Sequence, residues 1–92
     1  MKTAQIILEM FRRYGVDTVF GLPGETTLPL YDAWRSYPDL RHVMARDERS
    51  SVFMAHGYAR VSGRPGVCEG PSVGAPHMVP GLLEARKAAL PL

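Results

Sequence analysis

Two glycine-rich stretches and one carboxylate are the parts of this chain whose residue types suit chemistry. The first stretch is Gly21-Leu22-Pro23-Gly24-Glu25-Thr26-Thr27, and the second is Gly70-Pro71-Ser72-Val73-Gly74-Ala75-Pro76-His77. Between them stands Arg46-Asp47-Glu48-Arg49. Glycine loops let a backbone approach a ligand closely, and a carboxylate beside them offers an acceptor or a base. Neither loop has the Gly-Lys-Ser/Thr of a phosphate loop or the spaced glycines of a dinucleotide fingerprint. Plainer readings stand beside these. Glycines serve tight turns, and a first-turn glutamate such as Glu48 gains about 0.3–1 kcal/mol from the helix dipole alone. His42, His56 and His77 lack metal-ligand spacing, so no metal is assigned to the chain. His56 reads as a packed or surface residue and His77 as a site candidate. Cys68 reads as buried filler. No Ser-His-Asp arrangement can be argued for.

The elements that must position these residues follow from periodicity. Ile6, Ile7, Met10, Phe11 and Tyr14 recur at three- and four-residue intervals and predict a helix with one apolar face. Thr3 is its expected N-cap and Gly15 its stop. A second helix is predicted over about 27–36, with Leu30, Tyr31 and Trp34 buried and Pro38 beyond its end. A third runs over about 47–62, with Gly63 after it. Its Ser51, Ala55 and Ala59 form a small-residue row suited to close packing. A fourth occupies part of 75–89, with Pro76 and Pro80 blurring its start. Thr18-Val19-Phe20, His42-Val43-Met44 and Gly66-Val67-Cys68 read as strands, and Leu90-Pro91-Leu92 as a strand that has just begun. Strand and helix alternate, so the expected class is α/β, a parallel, Rossmann-like sheet with helices on both faces. In such a sheet ligands bind outside the carboxyl ends of the strands. The chain order therefore gathers both glycine loops and Glu48 on one edge.

Composition narrows the class further. The 92 residues, 46% hydrophobic and 22% charged, suit one small globular domain rather than disorder. A net charge of +2, with scattered basic residues, gives no footprint for nucleic acid. No apolar run approaches the roughly 20 residues of a membrane span. Gln5 and Glu9 interrupt the N-terminal apolar stretch, which argues against a signal peptide. With a single cysteine no internal disulfide forms, and a reduced, cytoplasmic setting is expected.

The residues also carry a family resemblance that spans essentially the whole chain. Val19-Phe20-Gly21-Leu22-Pro23-Gly24, then Leu28-Pro29-Leu30-Tyr31-Asp32, resemble the start of thiamine-diphosphate enzymes of the acetolactate synthase and 2-oxo-acid decarboxylase type. Arg46-Asp47-Glu48, followed by Met54 to Cys68 with its Gly57-Tyr58-Ala59-Arg60 and Gly63-Arg64-Pro65-Gly66-Val67, resembles the family's next block. The resemblance implies that residues 1–92 are the N-terminal part of a pyrimidine-binding domain, incomplete at the C-terminus. It implies that Glu48 is catalytic, hydrogen-bonding a ring nitrogen of the cofactor's aminopyrimidine and favouring the imino form that takes the thiazolium proton. It implies cofactor contacts at Pro23, Gly24, Glu25, Ser72, Gly74 and His77, with Glu25 where a side chain often faces substrate. The substrate it implies is a 2-oxo acid such as pyruvate.

The same resemblance puts Mg2+ and the diphosphate on a domain outside this chain. Some members bind FAD, which nothing here indicates. Cofactor sites in the family lie between subunits, so a homo-oligomer or a full-length relative is the expected partner. The sequence departs from the family at three points. The second loop is one residue short, Pro76 and His77 stand where Thr and Asn are common, and His56 replaces an acidic residue. The chain by itself is expected to be inactive. The alternative is a non-catalytic remnant or interaction module that pairs with a full-length relative. The motif blocks argue against a third reading, an unrelated nucleotide-binding α/β protein.

Overall fold

The computed structural model describes residues 2–92. Its elements run α1 (Thr3–Arg13), β1 (Thr18–Gly21), α2 (Leu28–Trp34), β2 (Arg41–Met44), α3 (Glu48–Ser62), β3 (Cys68–Glu69) and α4 (Val79–Lys87). Two 3₁₀ turns, Glu25–Thr27 and Ala75–Met78, lead into α2 and α4. The sheet is wholly parallel, in the order β2-β1-β3, with Phe20 level with Val43 on one side and Cys68 on the other. The chain leaves the central strand to one side for β2, then crosses back past it for β3. That reversal opens a crevice at the carboxyl end of β1, the place where open parallel sheets bind ligands.

Side chains alternate across a strand, so β1 serves two cores. Val19 joins Leu8 of α1, Trp34 of α2, and Tyr37 and Leu40 of the following turn. Phe20 meets Tyr58 of α3 edge-on, ring centroids 5.8 Å apart. Helices α1 and α2 pack together on one face, and α4 packs on α3 on the other. The expected α/β layering is what the chain adopts. Ser51, Ala55 and Ala59 are all buried, and the reason is close approach. A Cβ on Gly66 would lie 2.4 Å from the Ala55 carbonyl oxygen, and one on Gly81 2.3 Å from Val52 Cγ1.

Helix α1 ends as its glycine predicts. Gly15 takes φ 79°, its N–H donates to the Arg12 carbonyl, and Val16 N–H donates to the Phe11 carbonyl. Those two bonds are a Schellman close. Its start and its face differ from expectation. Lys2 is the N-cap and Thr3 is already helical; the Lys2 N–H donates to Gln5 Oε1 at 2.8 Å. Leu8 is the buried residue and Phe11 packs beside it, while Ile6, Ile7, Met10 and Tyr14 are exposed. The helix has more apolar residues than its contact with α2 and β1 can cover.

Strand β3 also differs. It begins at Cys68 rather than Gly66, and Leu90-Pro91-Leu92 forms no strand. Proline has no N–H to donate to a ladder; here the Pro91 carbonyl accepts from Gly66 N–H at 2.8 Å. No helix among the described residues is long and apolar enough to cross a membrane.

Candidate functional site

Glu48 is the first residue of α3, capped by Asp47, whose Oδ1 accepts the Arg49 N–H at 2.8 Å. This places the Glu48 carboxylate just past the carboxyl end of β2, where the second glycine loop returns. The approach is tight. A Cβ on Gly74 would fall 2.2 Å from Glu48 Oε2, and one on Gly70 would fall 3.1 Å from Glu48 Cγ. A side chain at either position would have to push Glu48 aside. The Glu48 side chain is 12% exposed, yet among the described residues its carboxylate has one hydrogen-bonding partner, His77 Nδ1 at 3.5 Å. A nearly buried acceptor with spare lone pairs can accept hydrogen bonds from a ligand's N–H groups.

The two loops meet beside it. Ser72 N–H donates to Thr26 Oγ1 at 3.0 Å, and a Cβ on Gly24 would strike Pro71 at 2.4 Å. Gly24 is further fixed by Thr27, whose hydroxyl accepts the Gly24 N–H at 3.1 Å. The structure thus brings Gly24, Glu48, Ser72, Gly74 and His77 to one edge of the sheet. Pro23 and Glu25 lie on the same first loop, exposed, with no hydrogen bond to Glu48 or His77 among the described residues.

Asp47, Glu48 and His77 bring possible metal-ligand atoms within 4.8 Å of one another. Asp47 is nonetheless committed elsewhere. Its Oδ1 accepts from Arg49 Nε at 3.1 Å and its Oδ2 from Arg49 Nη2 at 2.9 Å. The Arg49 guanidinium holds the Asp47 carboxyl down at about 2. A cation already sits where a metal would need that carboxylate.

A second cluster escaped the sequence reading. On the α2 face, Tyr31 donates its hydroxyl proton to Glu69 Oε1. His42 Nε2 lies 2.8 Å from the Tyr31 hydroxyl and 3.3 Å from Glu69 Oε1. The His42 and Glu69 side chains are 18% and 15% exposed. Among the described residues Glu69 Oε2 is buried without a partner, and Gly21 lies so close that a Cβ there would overlap Glu69 Oε1. Burial, then the Glu69 carboxylate, pushes the Tyr31 phenol well above its ordinary value. Burial likewise pushes the Cys68 thiol up, which makes it a poor nucleophile. The available signal was an acidic residue at the end of an apolar run.

With this geometry in place, comparison with known proteins gives a consistent answer. The family described as thiamine pyrophosphate enzyme, N-terminal TPP binding domain, matches residues 1–92. The chain is 51% identical over 70 residues to a probable 2-ketoarginine decarboxylase, AruI, of Pseudomonas aeruginosa, covering 74% of this chain and 12% of that protein. It is 42% identical over 94 residues to the chloroplastic acetolactate synthase of Arabidopsis thaliana, covering 99% and 14%. It is 38% identical over 92 residues to the acetolactate synthase isozyme 1 large subunit of Escherichia coli, covering 97% and 16%. The chain therefore spans between 12% and 16% of the length of these relatives.

Proposed function

The chain belongs to the thiamine pyrophosphate enzymes, as part of their N-terminal TPP-binding domain, and from that premise we propose that it supplies the pyrimidine side of a thiamine diphosphate site in an enzyme acting on 2-oxo acids. The observation that carries this reading is the Glu48 carboxylate, nearly buried, under-partnered, and covered by Gly70 and Gly74. When bound, the cofactor supplies the nucleophilic carbon that attacks the 2-oxo acid. The chain's own residues hold and orient it. Glu48 accepts a hydrogen bond from the pyrimidine ring, and the low local dielectric strengthens that bond. Pro23, Gly24 and Glu25 border the ring from the first loop, and Ser72, Gly74 and His77 border it from the second. Magnesium and the diphosphate are held outside this chain. The setting is cytoplasmic, and the site is completed by a second copy or a full-length relative.

A second reading, an interaction module that pairs with a full-length relative, draws on exposed apolar residues. Phe53 and Val61 on α3 and Leu82 and Leu83 on α4 face solvent. An assay of these 92 residues with pyruvate, thiamine diphosphate and magnesium tests the first reading against the second. We expect weak cofactor binding that is lost in Glu48→Gln, and no turnover above a protein-free control. Cofactor binding that ignores Glu48→Gln removes Glu48 from the cofactor site, and no cofactor binding favours the second reading. Turnover overturns the assignment of the diphosphate and magnesium site to another domain.

A further inference from the structure

A carboxyl group that exchanges a proton with a bound ring must also have a route for that proton to water. Glu48 has little direct access, since its side chain is 12% exposed and the backbones of Gly70 and Gly74 lie over it. His77 is different. Its Nδ1 is 3.5 Å from Glu48 Oε1, while 61% of its side chain is exposed. It therefore bridges a nearly buried carboxyl and the solvent. Imidazole is the side chain that both accepts and donates a proton between pH 5 and 8.

We propose that His77 is a positioning and proton-relay residue that connects Glu48 to bulk water. This rests on the reading of Glu48 as the cofactor-facing carboxyl. A proton leaving Glu48 Oε1 passes to His77 Nδ1, and the proton on Nε2 leaves to solvent. In reverse, Nε2 takes a proton from water and Nδ1 returns one to Glu48. No redox partner or leaving group is required. The charged groups facing His77 are Glu48 and Asp47, with Arg49 beyond Asp47. Asp47 does not substitute for His77, because both of its oxygens are engaged by Arg49.

Two measurements test this. In the ligand-free chain, the side-chain carboxyl ¹³C resonance of Glu48 is followed from about pH 5 to 9. It should inflect together with the His77 imidazole resonances, and the inflection should vanish in His77→Gln, which keeps a hydrogen-bond donor without a titrating nitrogen. A Glu48 signal that ignores the titration of His77 overturns the coupling, whatever Glu48 does for the cofactor. In the intact protein saturated with thiamine diphosphate and magnesium, exchange of the cofactor's C2 proton should slow on the order of 10²-fold in His77→Ala. Added imidazole should restore it, with exchange read at cofactor saturation in each variant. Unaltered exchange in both His77→Ala and His77→Gln rejects the relay. Glu48→Gln should lose exchange without rescue by imidazole. If Glu48→Gln exchanges normally, the reading of Glu48 itself fails and the relay fails with it. A slow Glu48→Gln beside a normal His77→Ala rejects the relay alone.

Discussion

Glu48 and Glu69 are two nearly buried carboxylates at the same edge of one sheet, on opposite faces, and their surroundings are opposite in kind. Glu69 is held through one oxygen, with Oε1 bound by Tyr31 and close to His42 Nε2, Oε2 buried without a partner among the described residues, and Gly21 pressed against it. Glu48 is covered by two glycines and, among the described residues, has one side-chain partner, the exposed His77. A carboxylate with one oxygen shared between side chains of two other elements serves to join elements. Here Glu69 links β3 to α2 and β2. A carboxylate whose side-chain partner is itself solvent-exposed has capacity for a ligand. Burial alone does not distinguish the two, since their side chains are 12% and 15% exposed; their partners do.

The contrast is broken most directly by removing each charge in turn. Under the proposed reading, Glu48→Gln in a full-length protein carrying this segment should slow exchange of the cofactor's C2 proton by about 10²- to 10⁴-fold at saturation, with little change in thermal stability. Glu69→Gln keeps an acceptor for Tyr31 and should leave exchange near normal. Glu69→Ala leaves Tyr31 and His42 without their partner and should cost about 1–3 kcal/mol of stability by denaturant unfolding. Equal effects of Glu48→Gln and Glu69→Gln on exchange would erase the distinction.

The covering glycines sharpen the same contrast at smaller amplitude. A methyl group at position 74 meets Glu48 Oε2, and one at position 21 meets Glu69 Oε1. Gly74→Ala should displace the Glu48 carboxylate and lower exchange by up to about 10²-fold. Gly21→Ala overpacks a filled site and should cost about 1–3 kcal/mol of stability, with a correspondingly smaller effect on exchange. Loss of exchange in Gly21→Ala at full stability would mean that the Glu69 cluster also acts on the cofactor.

The Glu48 side of this comparison was legible in the sequence, and the Glu69 side was not. Strand-helix alternation is a local signal, and it places Gly24, Glu48 and Gly74 on one edge without any knowledge of packing. The small row Ser51, Ala55 and Ala59 was legible for the same reason, since one helix face is fixed by spacing. Tyr31, His42 and Glu69 come from α2, β2 and the end of β3. Their meeting depends on the strand order β2-β1-β3, which periodicity does not encode. The face of α1 failed likewise. Spacing identified its apolar residues, but which of them touch α2 is set by the neighbour, so Leu8 is buried while Ile6, Ile7 and Met10 are exposed. The start of β3 was misplaced because its ladder is only two residues long.

A pH experiment isolates the interior cluster. The folded-state phenol of Tyr31 lies above its ordinary value of 10.0, chiefly through burial and then through Glu69. A raised value means the folded state holds its proton more tightly than the unfolded state. The contribution of Tyr31 is therefore complete below about pH 10 and declines as pH rises further. Thermal midpoints of the wild type should fall more steeply above that pH than those of Tyr31→Phe. Parallel curves would show that Tyr31 is not held by Glu69.

The smallest effect concerns Asp47, which adjoins Glu48 but is committed to Arg49. Asn also caps helices well, so Asp47→Asn removes the ion pair while keeping the cap of α3. Its carboxyl is held at about 2, against an ordinary 3.8, first by the side-chain hydrogen bond from Arg49. A lowered value means stability present above the ordinary value and lost as pH falls through the folded one. The gap in thermal midpoint between wild type and Asp47→Asn should be constant above about pH 5 and close between 3.8 and about 2. The pair is exposed, so added salt should shrink the gap at every pH. Exchange of the cofactor's C2 proton should stay within a few-fold of wild type, roughly the limit that a solvated charge change imposes on its neighbour. A collapse of exchange in Asp47→Asn as large as in Glu48→Gln would transfer the ligand-facing role from Glu48 to the pair of acidic residues acting together. The two glutamates would then no longer be the right regions to compare.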